Sequence, residues 1–202
     1  MTVTLRATGL AVPDLDWVVT SYSGHRAHEG IAYTASLTWK GLGVGTIENA
    51  GEGGGENVYW NGSDYSRRAR DVWPTFCAAV PKDSLVKLLD LEAERFVNPS
   101  LTPAALDSMD EETVALLLVE EFLVAKRFNG YVRRGKTVFL APGEDLYPGS
   151  GFRVVNAAGE EAFTWLRSKY GADPRVRVWY PPSGGWAWLH EAAAAALAGA
   201  GR

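Results

Sequence analysis

Between Ile31 and Lys40 apolar and polar side chains alternate almost without a break. Ile31, Tyr33, Ala35, Leu37 and Trp39 point one way; Ala32, Thr34, Ser36, Thr38 and Lys40 point the other. A period of two is that of a half-buried β-strand. Gly41 supplies a turn, and Leu42 to Ile47 returns antiparallel. Glu56 to Trp60 predicts a third strand, ended by the turn pair Asn61-Gly62. Upstream, Leu15, Trp17, Val18 and Val19 predict a short strand after Pro13, and the polar residues 21–30 read as a loop.

The pattern then changes to helical spacing. Ser63 is a candidate N-cap, and Tyr65, Ala69, Val72, Trp73 and Phe76 fall on one face. Pro74 is expected to break or kink that helix near residues 71–73. Asp83 starts a second helix that Asn98-Pro99 ends, and Thr102-Pro103 starts a short third one. Ser108 and Glu111 form a capping box for the longest helix, about 110–128, which Asn129-Gly130 is expected to stop. That helix is apolar on more than one face, as a central, buried helix would be.

Strands follow at 136–140, at 152–155 and around Val176, Val178 and Tyr180, with a helix from about Gly159 to Tyr170 between them. Pro181 to Gly185 reads as a linker, and Trp186 to Ala198 as an alanine-rich helix. Strands, then helices, then strand–helix–strand imply an α+β fold. The expected architecture is an antiparallel sheet with a glycine-rich hairpin, packed against several helices. Residues 1–180 are expected to form one domain and residues 181–202 a linker and tail.

The chain has 202 residues, 47% hydrophobic and 22% charged, with a net charge of −4, which excludes a long disordered chain. Residues 1–100 hold 9 basic and 12 acidic side chains, and residues 101–202 hold 11 and 12. Neither half is a basic nucleic-acid module. Locally the contrast is greater: residues 110–121 carry five acids and no base, residues 126–136 five bases and no acid. No run approaches the roughly 18 to 20 apolar residues that span a bilayer, and the N-terminus lacks a secretory pattern, so a cytoplasmic protein is expected. The single cysteine, Cys77, lies in an apolar run and reads as a small buried hydrophobe.

Seven of the 22 glycines lie between Gly41 and Gly55. This much glycine weakens a strand ladder. Either the backbone takes positive φ in bulges and turns, or something approaches it closely. Gly43, Gly45, Asn49, Gly51, Gly53 and Gly54 are therefore candidates for contact with a ligand or partner. The segment matches no phosphate-loop or dinucleotide fingerprint, and Glu48, Glu52 and Glu56 would repel an anion. Arg133, Arg134 and Lys136, with Phe128 and Tyr131 interleaved, are candidate phosphate contacts; the alternative is a solvated helix end.

His25-x-x-His28 followed by Glu29 invites a metal reading, but the spacing lies in a loop, and no metal or other cofactor is expected. His28 and Glu29 stay as candidates for general acid/base work. Eight tryptophans mostly serve a core. Trp186 and Trp188, beside Gly184-Gly185, are candidates for docking a partner or a second copy of the chain.

His28-Glu29-Gly30, the alternating strand, the hairpin Lys40 to Gly45 and the loop Asn49-Ala50-Gly51-Glu52-Gly53-Gly54 together resemble a family of small, uncharacterised proteins of tailed bacteriophages and prophages. Lys136-Thr137-Val138-Phe139 and Lys169-Tyr170-Gly171 resemble later pieces of the same family. The resemblance covers roughly residues 25–180. It implies a phage-encoded, non-virion protein acting in the infected cell, and it implies no reaction. The expected function is binding: a counter-defence inhibitor that binds a host protein or sequesters a nucleotide signal. The alternatives are an enzyme on a nucleotide or phosphorylated small molecule, using His28 and Glu29, and a structural or assembly component.

Overall fold

The computed structural model describes residues 2–28, 30–88, 111–144, 152–171 and 173–200. The fold is α+β, with antiparallel sheets. The chain divides into two compact units: residues 1–5 with 10–122, and residues 6–9 with 123–202.

In the first unit Val3–Thr4 (β1) pairs with Ala11–Val12 (β2). Four strands then form an antiparallel meander: Trp17–Arg26 (β3), Ile31–Trp39 (β4), Leu42–Asn49 (β5) and Asn57–Trp60 (β6). The β4–β5 turn places Lys40 and Gly41 both at positive φ, as a two-residue type I′ hairpin requires. Residues 21–26 are strand, not the loop expected. Their side chains are mostly polar because they lie at an exposed sheet edge, and the pairing of Ser21 to Arg26 with β4 decides their conformation.

Asp64–Ala79 (α1) covers the core side of β5 and β6. The Ser63 hydroxyl caps it, accepting from the Ser66 amide at 3.1 Å. The helix runs through Pro74 unbroken. A proline inside a helix costs about 3 kcal/mol. Trp73 and Phe76, on either side, offset this: both are buried, and Trp73 lies 4.8 Å edge-on to Trp17 and 6.3 Å from Trp60. Full burial of one such ring is worth about 3 kcal/mol, and each ring pair adds about 1 kcal/mol. Packing therefore outweighs propensity. Cys77, further along α1, is half-buried. Residues 82–88 are again helical, with Leu85 and Leu88 buried. The rest of that expected helix, the short one after Thr102 and Ser108 of the capping box lie outside the described residues.

Glu111–Arg133 (α2) is the long helix. It runs five residues past the expected end, through Asn129-Gly130. Phe128 is fully buried and Trp179 Nε1 donates to Asn129 Oδ1 at 2.9 Å, so tertiary packing holds this last turn. The chain turns instead at Gly135, at positive φ. Residues up to Phe122 belong to the first unit and those from Leu123 to the second.

The second unit has a sheet of order β10-β9-β7-β8: Thr137–Leu140 (β7), Arg153–Val155 (β8), Arg177–Tyr180 (β9) and Gly185–Trp188 (β10). Alternation divides its side chains. Phe139 and Val178 pack with Gly159–Tyr170 (α3) and Leu189–Ala200 (α4); Val138 and Trp179 pack with Phe128, Trp186 and Ala7. The expected 180/181 boundary falls inside a β-hairpin. Pro181–Ser183 is a 3-10 turn, and Trp186 and Trp188 lie in β10, ahead of the helix they were expected to start. Among the described residues no helix is long and apolar enough to cross a membrane.

Candidate functional site

The glycine-rich loop after β5 is locked from its core side. Asn49 Oδ1 accepts from the Gly51 amide at 2.7 Å, and its Nδ2 donates to the Gly54 carbonyl at 3.2 Å and to Glu56 Oε1 at 3.1 Å. Tyr33 Oη donates to the same carboxylate oxygen at 2.9 Å. Glu56 is only 9% exposed, and burial pushes its carboxyl above the usual carboxylate range, against the two hydrogen bonds. Burial and the Glu56 carboxylate push the Tyr33 phenol up likewise. Glu112, on α2, fills the space that a Cβ on Gly55 would need.

Two of the candidate glycines have a steric reason. Gly45 lies where a Cβ would run into the Tyr59 carbonyl oxygen, beside a bulge that buries Val44 completely. Gly51 is at φ +71°, and a Cβ there would come within 2.8 Å of the Ala32 nitrogen. Gly53 shares the positive φ, and open space surrounds the missing Cβ of Gly43 and Gly54. Internal geometry thus accounts for much of the glycine excess.

The opposite, solvent face of the β3–β6 sheet carries a site the sequence reading missed. Register aligns Ser23, Thr34, Glu48 and Asn57 in one row across all four strands, and Ser21, Ser36, Thr46 and Tyr59 in the next. All eight side chains are polar. Ser21 Oγ donates to Ser36 Oγ at 2.7 Å, and Thr46 Oγ1 donates to Glu48 Oε1 at 3.1 Å. A groove of ≈ 400 Å³ opens here, lined by Ser23, His25, Thr34, Glu48, Asn57 and Tyr59. Tyr59 is 55% exposed. Asn49 and Ala50, at the start of the glycine loop, bound the groove at one end. Half of this signal was legible as the polar side of β4. The other half needed the register, which the bulges at Val19/Ser21 and Leu37/Thr38 shift.

His25, not His28, enters the groove. His28 is exposed in the turn before β4, and Glu29 lies outside the described residues. Among the described residues no group of three His, Cys, Asp or Glu side chains is placed to hold a metal ion. Arg133, Arg134 and Lys136 belong to the second unit, and the glycine loop belongs to the first. Arg133 and Arg134 are exposed, Lys136 is half-buried, and the Arg134 guanidinium lies 5.0 Å over the Tyr131 ring. Trp186 is half-buried and its Nε1 donates to the Ala7 carbonyl at 3.1 Å, so it docks on its own chain; Trp188 is exposed. No protein-family model, no curated protein and no solved structure matches the chain.

Proposed function

We propose that this is a binding protein directed at a host component, a counter-defence inhibitor of phage origin that uses the solvent face of its β3–β6 sheet. The observation that carries this is the pair of polar rows that span all four strands, with the Ser23, Thr34, Glu48 and Asn57 row and Tyr59 of the next lining the groove. Side chains fixed on a packed sheet lose little freedom when a partner arrives, so their hydrogen bonds are not offset by ordering. Among the described residues Glu48 is the only carboxylate lining the groove and no Lys or Arg lines it, which disfavours a phosphorylated ligand there. A polar segment of a host protein fits better than a nucleotide signal. The resemblance to phage proteins supplies the cellular setting.

A second reading has its own observation: His25 and Glu48 line the same groove, as an acid/base pair would. One plaque assay on defence-carrying bacteria separates the two. Wild type is expected to restore plaques, and Thr34→Trp, which fills the groove, to lose the effect. The double variant His25→Ala/Glu48→Gln is expected to retain most of it. Loss in that variant, with the fold intact, transfers the proposal to catalysis, and no rescue by wild type on any host overturns it.

A further inference from the structure

The unit boundary uncovers a charge separation that the sequence halves conceal. The first unit holds 8 basic and 18 acidic residues, a net charge of −10; the second holds 12 basic and 6 acidic, a net charge of +6. In the second unit three acids are matched to neighbouring arginines: Glu144 to Arg153, Glu160 to Arg167 and Asp173 to Arg175. Residues 123–143 contain five bases and no acid. The basic excess is thus concentrated at the C-terminal end of α2.

There the bases are layered with aromatic rings. Arg127 and Tyr131 stand at i and i+4 on α2, and Arg134 follows in the turn just past its end, where its amide donates to the Tyr131 carbonyl at 3.0 Å. The Arg127 guanidinium lies 4.7 Å over Phe152, and that of Arg134 lies 5.0 Å over Tyr131. The two rings are 5.9 Å apart, and Phe152 meets the buried Phe128 edge-on at 4.8 Å. The Arg134 guanidinium folds back over Gly130, passing 3.7 Å from where a Cβ would stand, an ordinary contact distance. Arg127 and Arg134 are exposed, while Tyr131 and Phe152 are half-buried. The ladder is therefore fixed below and open above.

We propose that this ladder binds single-stranded nucleic acid. Arg127, Arg133, Arg134 and Lys136 attract the phosphates, and the guanidinium and ring planes offer stacking surfaces to the bases. A duplex hides its base faces, so it offers this ladder its phosphate charge but no stacking partner. An acidic protein segment also meets the charge but lacks planar bases for the stack. The ladder is built from residues of the second unit and the groove from residues of the first, and they share no residue, so each proposal stands or falls alone.

The test is fluorescence anisotropy of the full chain with a labelled oligothymidylate of about 20 nucleotides, a duplex of the same length and unlabelled polyglutamate as competitor. With about four phosphates neutralised, the log–log salt slope is expected near −3, and Arg127→Ala/Arg134→Ala is expected to make it shallower by about 1.4 while weakening binding roughly ten-fold or more. Tyr131→Leu is expected to weaken binding and leave the slope unchanged. The control Arg68→Ala/Arg70→Ala, on exposed positions of α1, is expected to bind as wild type. Variants are compared only where their circular dichroism and melting match wild type. Arg127→Lys/Arg134→Lys, which keeps charge and loses the planar layer, replaces Tyr131→Leu if that variant does not fold. No binding at about 50 mM salt overturns the proposal, as does duplex binding as tight as single strand. Equal loss in the α1 control, or displacement by polyglutamate at matched charge, overturns it too.

Discussion

Glu56 shows how much one side chain can organise. It ends the glycine loop, accepts from Tyr33 and Asn49 on one oxygen, and does so almost without solvent. Burial raises its carboxyl above the ordinary 4.5, so the folded state holds its proton more tightly than the unfolded chain. The sign follows from linkage: the contribution is fully present below the unfolded value and is lost as pH rises through the folded one. Glu56→Gln keeps an acceptor for both donors and carries no charge. Wild-type stability relative to Glu56→Gln is therefore expected to fall as pH rises from below 4.5 through the raised value, read by urea unfolding across that range. A difference that does not change with pH contradicts this role. Composition alone placed Glu56 among three acids that would repel an anion. Its partner Tyr33, 23 residues earlier, became visible only through the strand pairing.

At the scale of elements, α1 sets a local rule against a non-local one. Pro74 removes one intrahelical hydrogen bond, yet the helix continues because Trp73 and Phe76 are held in an aromatic cluster with Trp17, Trp39 and Trp60. Pro74→Ala restores the bond and leaves those rings in place. It is expected to stabilise the chain by about 1 to 3 kcal/mol, measured as a higher unfolding midpoint in denaturant. No gain would mean that the helix already adapts its backbone around the proline. Asn129-Gly130 follows the same logic: a stop signal by composition, overridden where Phe128 and Asn129 dock. By contrast, the helix from Gly159 to Tyr170 was legible to the residue, since its single apolar face and the glycine after Tyr170 agree with its packing.

At the scale of the whole molecule, the stretch from Gly185 to Ala193 contributes to a core. β10 completes the second sheet, and Leu189, Ala192 and Ala193 are buried with Phe163 and Leu166 of α3. Deleting residues 182–202 is expected to unfold the second unit rather than to change an assembly state. Hydrogen exchange checks this: amides of β7 and β9 lose protection while those of β4 and β5 keep it. Retained protection in β7 and β9 would return the segment to the separate tail first expected. The charge separation also belongs to this scale. An even count in each half of the sequence argued against nucleic acid, but the structural boundary falls at residue 122/123, inside α2, and gathers 12 of the 20 bases into the smaller unit.

The sequence alone determined the α+β class, the β4–β5 hairpin, the Ser63 cap and the helix at 159–170. Each rests on local physics: side-chain period, turn chemistry and capping act within a few residues. Tertiary structure decided the extent of the polar strand β3, the survival of α1 through Pro74, the alignment of the two polar rows and the place where one unit ends. These depend on register and burial between residues far apart in the chain, which no local pattern encodes. The candidate sites divide in the same way. The basic stretch at 126–136 was readable as composition, but its layering with Phe152 needed a contact with a residue well beyond it in the chain. The groove needed four strands in register before any of its side chains became neighbours.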